Sequence, residues 1–170
     1  MFLFLATYKP SLMTPAEVPQ FLLDAGVVSP AGLIAVTQPR KVAATTIAAR
    51  VAMERGVGVG SEVGYAIRFE DASSPATRIK FYTDGMLLRE MLNDPQLNKC
   101  EVVIVDEAHE RTLRTDVLLA NLKRIQKERD GLLEASKSKK GKGKVTKIPL
   151  KIIVMSASLQ ADQFSKYLDG

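Results

Sequence analysis

Two adjacent acidic residues, Asp106 and Glu107, follow directly after an uninterrupted β-branched run at 102–105. Such a run predicts a buried strand, and two carboxylates at its end repel each other unless a cation or polar ligand offsets them. In nucleotide hydrolysis, this arrangement lets the first carboxylate hold Mg²⁺ through water while the second orients the attacking water. The alternative is a charged surface loop in which His109 is an ordinary exposed or capping histidine.

Four short β-rich runs alternate with helical patterns along the chain, which predicts βαβ units around a parallel sheet. The predicted strands are 33–37, 78–83, 101–106 and 151–156. The apolar residues 1–6 predict a further strand or a loose end. In open parallel sheets, functional groups collect at the carboxyl ends of the strands, so the residues after these runs are expected to share one edge.

The helices are predicted from apolar residues at helical spacing. Two stripes are expected to pack on the sheet: Ala43, Ile47 and Val51 in one, and Leu113, Val117, Leu118, Leu122 and Ile125 in the other. A third helix is predicted at 84–92, with Asp84 capping its first turn. Its apolar side would consist of Leu87, Leu88, Met91 and Leu92.

Composition narrows the class of protein. Apolar residues make up 46% and charged residues 25% of a 170-residue chain, which is typical of a single soluble domain inside the cell. No apolar run is long enough for a signal-peptide core or a membrane span. The one cysteine, Cys100, can form no internal disulfide and has no companions for a metal site.

A lysine tract at 136–147 accounts for the basic charge. It holds six lysines and no acid, so the rest of the chain is nearly neutral although the net charge is +5. Residues 136–144 include no apolar residue, which predicts a flexible insertion at the surface of the domain. The predicted insertion spans residues 134–147. There are two alternatives for the tract. It could contact a phosphate backbone, or it could be a localisation signal, which would indicate a nuclear or nucleolar protein.

The string Asp-Glu-Ala-His-Glu-Arg at 106–111 resembles the second motif of the DEAH-box RNA helicases. Other segments match this family in the expected order. Residues 37–44 resemble motif Ia, 83–90 motif Ib and 156–158 motif III. The resemblance covers residues 18–170 and implies an α/β RecA-like domain, which is a parallel sheet flanked by helices in three layers, as in P-loop NTPases.

The resemblance implies ATP and Mg²⁺ as cofactors. Asp106 would hold Mg²⁺ through water, Glu107 would orient the attacking water, and His109 would be a further catalytic position. Arg50 corresponds to the family arginine that stacks on the adenine.

The resemblance also implies RNA as a partner. Arg40, Lys41 and Thr83 would hold the RNA backbone, although the family more often has a second arginine in place of Lys41. Ser156 and Ser158 would belong to the motif that couples the nucleotide site to the RNA site. Ser158 replaces the usual threonine and keeps its hydroxyl.

The family's phosphate-binding loop is missing where it would be expected. In the family, Val-Pro-Gln-Phe-Leu follows directly after a glycine-rich loop ending in Gly-Lys-Thr or Gly-Lys-Ser, and here that string begins at Val18. This register puts Thr14 at the lysine and Pro15 at the metal-binding hydroxyl, and residues 8–13 contain no glycine. Residues 1–17 are therefore interpreted as a divergent segment that binds ATP poorly. Thr14 is expected to cap the helix that follows.

Three functions are compatible with these residues. The chain is part of an ATP-dependent RNA helicase whose true N-terminus differs, or a catalytically inactive RNA- or protein-binding module, or a truncated product without independent function. The sequence stops after motif III, before the second RecA-like domain, which supplies arginines worth about 10³ to 10⁵ in rate. The chain alone is therefore expected to hydrolyse little ATP.

Overall fold

Seven strands form one sheet in the computed structural model, which describes residues 2–6, 14–138 and 148–156. In chain order, the strands are β1 (Phe2–Ala6), β2 (Leu33–Gln38), β3 (Val63–Ile67), β4 (Glu70–Ala72), β5 (Ile79–Thr83), β6 (Cys100–Val105) and β7 (Lys151–Ser156). The helices are α1 (Glu17–Asp24), α2 (Lys41–Glu54), α3 (Asp84–Asn93) and α4 (Leu113–Ser138), with a 3₁₀ turn at Ala108–Glu110.

The strand order is β1-β7-β6-β2-β5-β3-β4, and every neighbouring pair is parallel except β3 and β4. The carboxyl ends of β1, β7, β6, β2 and β5 therefore meet at one edge of the sheet. All four strands predicted from the β-rich runs are present, and the apolar start of the chain forms β1. The α/β RecA-like fold class is confirmed.

Hydrophobic residues cover both faces of the sheet. Alternating residues along β2 point to opposite sides, so Ala35 belongs to one buried cluster and Val36 to the other. The cluster with Ala35 includes residues of α3 and α4, and the cluster with Val36 includes residues of α1 and α2. This is the predicted three-layer arrangement. None of the helices in the described part of the chain is long and apolar enough to cross a membrane.

The buried faces of α2 and α4 are rotated from the predicted stripes. In α2, Ala44, Ala48, Val51 and Ala52 are buried, whereas Ala43 and Ile47 are only half-buried. A spacing of four residues advances about 40° beyond a full turn, so a strict interval of four drifts off the face. In α4, Leu118, Leu119, Leu122 and Ile125 are buried, but Leu113 is 80% exposed and Val117 is 43% exposed.

Helix α3 begins at Asp84 as predicted, but two of its side chains behave differently from the prediction. Thr83 occupies the N-cap position, and Asp84 is a buried residue of the first turn whose Oδ2 accepts a hydrogen bond from Thr115 Oγ1 at 2.6 Å. The prediction that Asp84 caps the helix is therefore wrong, because tertiary contact with α4 takes its carboxylate. Leu87 and Met91 are buried as expected, whereas Leu92 is exposed.

The β3–β4 hairpin was not predicted. Gly64 lies inside β3, and a β-carbon there would collide with the carbonyl oxygen of Ala72 in β4. Glycine is therefore required by the close approach of two backbones, although glycine within a run normally argues against a strand. Strand β4 consists of Glu70, Asp71 and Ala72, all poor strand formers, so it carried no sequence signal.

Helix α4 extends into the predicted insertion. It continues to Ser138, so residues 134–138 are helical, because the helix propagates through residues that tolerate it well. The remainder of the insertion, 139–147, lies outside the described residues. Arg129 of α4 is buried and donates hydrogen bonds to the carbonyl oxygens of Ile148 at 2.9 Å and Cys100 at 2.8 Å, and Gln126 donates to Leu150 at 2.8 Å. These donors fix the start of β7.

Candidate functional site

Asp106 lies immediately after β6 at the carboxyl edge of the sheet and is 7% exposed. Its Oδ2 accepts a hydrogen bond from Gln38 Nε2 at 2.7 Å, and Gln38, the last residue of the adjacent strand β2, is also buried. Burial raises the pKa of the Asp106 carboxyl, while the hydrogen bonds from Gln38 and from the Glu107 backbone act in the opposite direction. The carboxylate is thus held in one orientation at the end of a rigid strand.

The loop after Asp106 has an unusual backbone. Glu107 and Arg111, at the two ends of the 3₁₀ turn, have φ angles of 53° and 47°, in the left-handed region. Such a conformation costs a non-glycine residue about 1–3 kcal/mol, so surrounding contacts must hold it. Ala108 is fully buried and anchors the turn in the core between β6 and α4. Strain of this kind collects at functional sites.

Charged side chains of the loop are paired. His109 Nε2 lies 3.2 Å from Glu107 Oε2, and Glu110 Oε1 lies 3.2 Å from Arg40 Nη2. Arg111 makes two hydrogen bonds, of 2.9 and 3.1 Å, to the carboxylate of Asp116 in α4. The structure therefore places His109 against Glu107, in the loop that begins at Asp106.

The predicted RNA contacts lie at the ends of β2 and β5, along the same edge. Gln38 and Thr83 are in register across the two strands. Arg40 is at the N-cap position of α2 with its side chain 77% exposed, and Lys41 is the exposed first residue of that helix. Thr83 is half-buried before α3. The three residues thus lie at the same edge of the sheet.

The remaining predicted site residues are spread more widely. Ser156 is the last residue of β7, so it lies at the same edge, and its backbone is in register with Ala6 of β1. Ser158 lies outside the described residues. Arg50 lies about 13 Å along α2 from Lys41. It pairs with Glu54 at 2.7 Å, and Glu54 also accepts a hydrogen bond from Gln20 of α1.

The sequence register puts the end of the missing loop at Thr14 and Pro15, directly before α1. The carbonyl oxygen of Thr14 accepts the first hydrogen bonds, from the N–H groups of Glu17 at 3.0 Å and Val18 at 3.1 Å. The helix itself begins at Glu17, with Ala16 at the N-cap position. Thr14 therefore caps the helix through its backbone and not, as predicted, from the N-cap position. Its N–H donates to Glu17 Oε2 at 2.7 Å, the reciprocal half of a capping box.

This capping arrangement places a negative charge at the beginning of α1. The hydrogen bond from the Thr14 backbone lowers the pKa of Glu17, which keeps this exposed carboxylate ionised. Pro15 has no N–H to offer. A phosphate needs free N–H groups and positive charge at such a helix start. The residues present here do not fit a phosphate group.

The residues at the end of β6 do fit Mg²⁺. A carboxylate such as that of Asp106 is a ligand that this ion uses, and Mg²⁺ usually keeps several waters and needs only one or two protein carboxylates. Among the described residues, there is no group of three or more His, Cys, Asp or Glu side chains suited to holding a metal by itself. The edge of the sheet thus presents a buried carboxylate, Asp106, of the kind that Mg²⁺ accepts.

Comparison with known proteins supplies the family. No family model matches the chain. It is 49% identical over 154 residues to the ATP-dependent RNA helicase DHX33 of Homo sapiens, and 43% identical over 183 residues to the pre-mRNA-splicing factor ATP-dependent RNA helicase DEAH10 of Arabidopsis thaliana. The probable ATP-dependent RNA helicase DHX35 of Homo sapiens is 48% identical over 154 residues. The relatives of this chain, at 43–49% identity over about nine tenths of its length, are thus DEAH-box RNA helicases.

These matches cover 90–91% of the chain but only 19–25% of each DEAH-box relative. The chain is thus similar to one segment of a longer helicase.

Sequence reasoning missed three residues of this DEAH-box site. Gln38 orients Asp106, Glu110 pairs with Arg40, and Thr115 bonds the buried Asp84 beside Thr83. Only Gln38 had a signal, because a polar residue ends the strand at the edge of the sheet where loops carry function. The other two depend on contacts between elements that are distant in sequence.

Proposed function

We propose that the chain acts as the first RecA-like domain of a DEAH-box ATP-dependent RNA helicase. In such a domain, Asp106 would hold Mg²⁺ through water, Glu107 would orient the attacking water, and His109 would hold the Glu107 carboxylate. Mg²⁺, when bound, would neutralise charge on the nucleotide phosphates. The observation that carries this proposal is the buried Gln38–Asp106 hydrogen bond of 2.7 Å, which joins the predicted metal carboxylate to the strand leading into the predicted RNA contacts.

We further propose that this chain by itself does not bind ATP measurably. The start of α1 has its Thr14 N–H engaged by Glu17, has a proline next to it, and follows a segment with no glycine. These features remove the donors and the positive charge that a triphosphate requires. Arg50, the predicted adenine contact, would then have no bound nucleotide to stack on.

Thermal unfolding tests the nucleotide part of the proposal. A ligand that binds the folded chain raises stability by RT ln(1 + [L]/Kd), so millimolar Mg·ATP is expected to leave the midpoint unchanged. Mg·ADP and Mg²⁺ alone serve as controls for ionic effects. A clear upward shift at micromolar Mg·ATP would contradict the proposal.

The function that remains for the chain alone is weak binding of RNA through its backbone. Arg40, Lys41 and Thr83 are backbone contacts in the family resemblance, and such contacts carry no base preference. The lysine tract at 136–147 is a second, local source of positive charge. We expect sequence-tolerant, salt-dependent binding in which the tract dominates, because lysines there can reach any polyanion.

Salt dependence separates the two sources. Each phosphate contact to a single strand contributes roughly 0.7 to the slope of log affinity against log salt. Deleting 136–147 is expected to flatten this slope by several units, whereas Arg40→Ala should change it by less than about one. Fluorescence anisotropy with a labelled single-stranded RNA measures both. If affinity and slope survive the deletion, Arg40 and Lys41 form the dominant site instead.

We also propose a location inside the cell, in the nucleus or nucleolus. The lysine tract, which resembles a localisation signal, supports it. Imaging a fluorescently tagged chain with and without 136–147 tests this, and a distribution that ignores the deletion would argue against a role of the tract in targeting.

A further inference from the structure

Motif Ia and motif II are joined by two contacts of different character. Gln38 donates to Asp106 at 2.7 Å, and both residues are buried. Two residues beyond the end of β2, Arg40 Nη2 pairs with Glu110 Oε1 at 3.2 Å, with the two side chains 77% and 30% exposed. The first contact is buried, whereas the second lies at the surface where RNA is proposed to bind.

A phosphate and a carboxylate present the same kind of oxygen to a guanidinium group, and arginine binds both well. An exposed ion pair contributes only about 0–1 kcal/mol, so a ligand with several phosphates can displace the carboxylate. While Arg40 stays paired to Glu110, its guanidinium therefore cannot use all of its N–H donors for an RNA phosphate.

We propose that Glu110 is an internal competitor for Arg40, so that an RNA phosphate takes the guanidinium away from the motif II loop. The inference rests on the proposed function, since it assumes that Arg40 contacts RNA. Glu110 is in this sense a positioning residue, which holds Arg40 at the surface when RNA is absent and lowers the affinity for RNA.

The exchange also has a consequence inside the loop. Glu110 ends the 3₁₀ turn, which is closed by hydrogen bonds from Glu110 N–H to Glu107 O at 3.0 Å and from Arg111 N–H to Ala108 O at 3.3 Å. The left-handed Glu107 and Arg111 bound this turn and are held by their surroundings. Loss of the Arg40 contact removes one of these restraints, so RNA binding loosens the segment that carries Glu107 and His109.

A double-mutant cycle tests the competition. The affinity for a labelled single-stranded oligoribonucleotide is measured at low salt for the unaltered chain, Glu110→Gln, Arg40→Ala and the double variant. Glu110→Gln is expected to raise the affinity about twofold to fivefold when Arg40 is present, because an exposed pair of this strength is removed. It should have no effect when Arg40 is alanine. The same cycle is repeated in the full chain with its six tract lysines substituted (Lys→Gln), so that tract binding does not mask the result.

Controls separate competition from other causes. Glu128→Gln makes the same charge change in an exposed pair with Arg124 at 2.8 Å on α4, and should leave the affinity unchanged. Unfolding midpoints of all variants should agree within about 2 °C, since exposed substitutions rarely alter stability by more than about 0.5 kcal/mol.

Each result has a distinct meaning. An equal gain from Glu110→Gln in both Arg40 backgrounds would mean a general field effect and would overturn the competition. Loss of affinity on Arg40→Ala without any effect of Glu110→Gln would do the same while leaving the proposed RNA surface intact. If Arg40→Ala with Lys41→Ala leaves RNA binding unchanged in the tract-substituted chain, the proposed surface fails, and the inference fails with it.

Discussion

The end of β6 and the start of α1 are two halves of what would be one nucleotide site, and they differ in what their carboxylates do. Asp106 is buried, oriented by Gln38 and suited to a metal. Glu17 is exposed and uses its carboxylate to close its own helix on Thr14. The contrast teaches that a carboxylate can be held for a ligand by a contact between distant strands, as in Asp106, or used by a local contact within its own helix start, as in Glu17.

The largest effect is expected from restoring the missing half. Replacing residues 8–15 with Gly-Glu-Thr-Gly-Ser-Gly-Lys-Thr should create binding of Mg·ATP, because the loop then supplies N–H groups, a lysine and a hydroxyl. At 100-fold excess over Kd, the unfolding midpoint should rise by about 5–10 °C. Adding Asp106→Ala to the graft should reduce this shift. No shift in the grafted chain would mean that the assigned register is wrong.

A smaller but clear effect is expected from breaking the intact half. Gln38→Leu leaves the buried Asp106 carboxylate without its donor, which should cost about 1–3 kcal/mol of unfolding free energy. Chemical denaturation measures the change. The matched control is Gln38→Leu combined with Asp106→Leu, which removes both partners and should cost less than the two single changes added together. Simple additivity would mean that the hydrogen bond does not stabilise the fold.

The pH dependence of stability should distinguish the two carboxylates. Burial raises the pKa of Asp106, so the folded chain holds this proton more tightly than the unfolded chain. The stability contributed is present below the ordinary aspartate value of 3.8 and is lost as pH rises through the raised value. Asp106→Asn should therefore increase the unfolding midpoint at pH 7, with a gain that vanishes near pH 3.

The exposed Asp24→Asn, which loses a pair with Arg55 at 3.1 Å, serves as the control and should show no such gain. A midpoint for Asp106→Asn that stays level with the unaltered chain at every pH would show that burial of Asp106 carries no cost.

The smallest effect is expected at Glu17. Its lowered pKa means that it stabilises the folded chain above the ordinary glutamate value of 4.5, and that this contribution is lost as pH falls. Glu17→Ala should lower the midpoint slightly at pH 7 and not at all near pH 3, the opposite trend to Asp106→Asn. Glu17→Gln can still accept a hydrogen bond from the Thr14 N–H, so its unfolding midpoint at pH 7 should lie between those of the unaltered chain and Glu17→Ala. Equal midpoints of all three chains at pH 7 would argue against the capping contact.

Much of this contrast could be predicted from the sequence. The β-branched run before Asp106 predicts a strand whose end carries the carboxylates, because burial on both faces selects such residues. Residues 1–17 contain no glycine, and the register puts Thr14 rather than a lysine at the phosphate-binding position, so the sequence predicts that the phosphate site is lost. Neither prediction needs tertiary contacts, because strand type and loop chemistry are set locally.

Other features depend on contacts across the fold. Asp84 was predicted to cap α3, but Thr115, 31 residues later, bonds its carboxylate. The β3–β4 hairpin requires Gly64 because of a backbone approach that no local pattern reveals. The buried face of α2 depends on which alanines pack against the sheet. The spacing of apolar residues alone does not decide between Ala43 and its neighbour Ala44.

Arg129 has a consequence for how this domain can change over evolutionary time. One guanidinium bonds carbonyl groups of Cys100 and Ile148, and Gln126 holds Leu150, so β7 enters the sheet at a point set by α4. We therefore expect changes in the length and composition of the chain between 138 and 148 to leave the position of β7 unchanged. Lineages can lengthen, shorten or recompose this connection at little cost to folding, which makes it a natural place to acquire new partners. It is also a suitable position for inserting an affinity tag or a fluorophore.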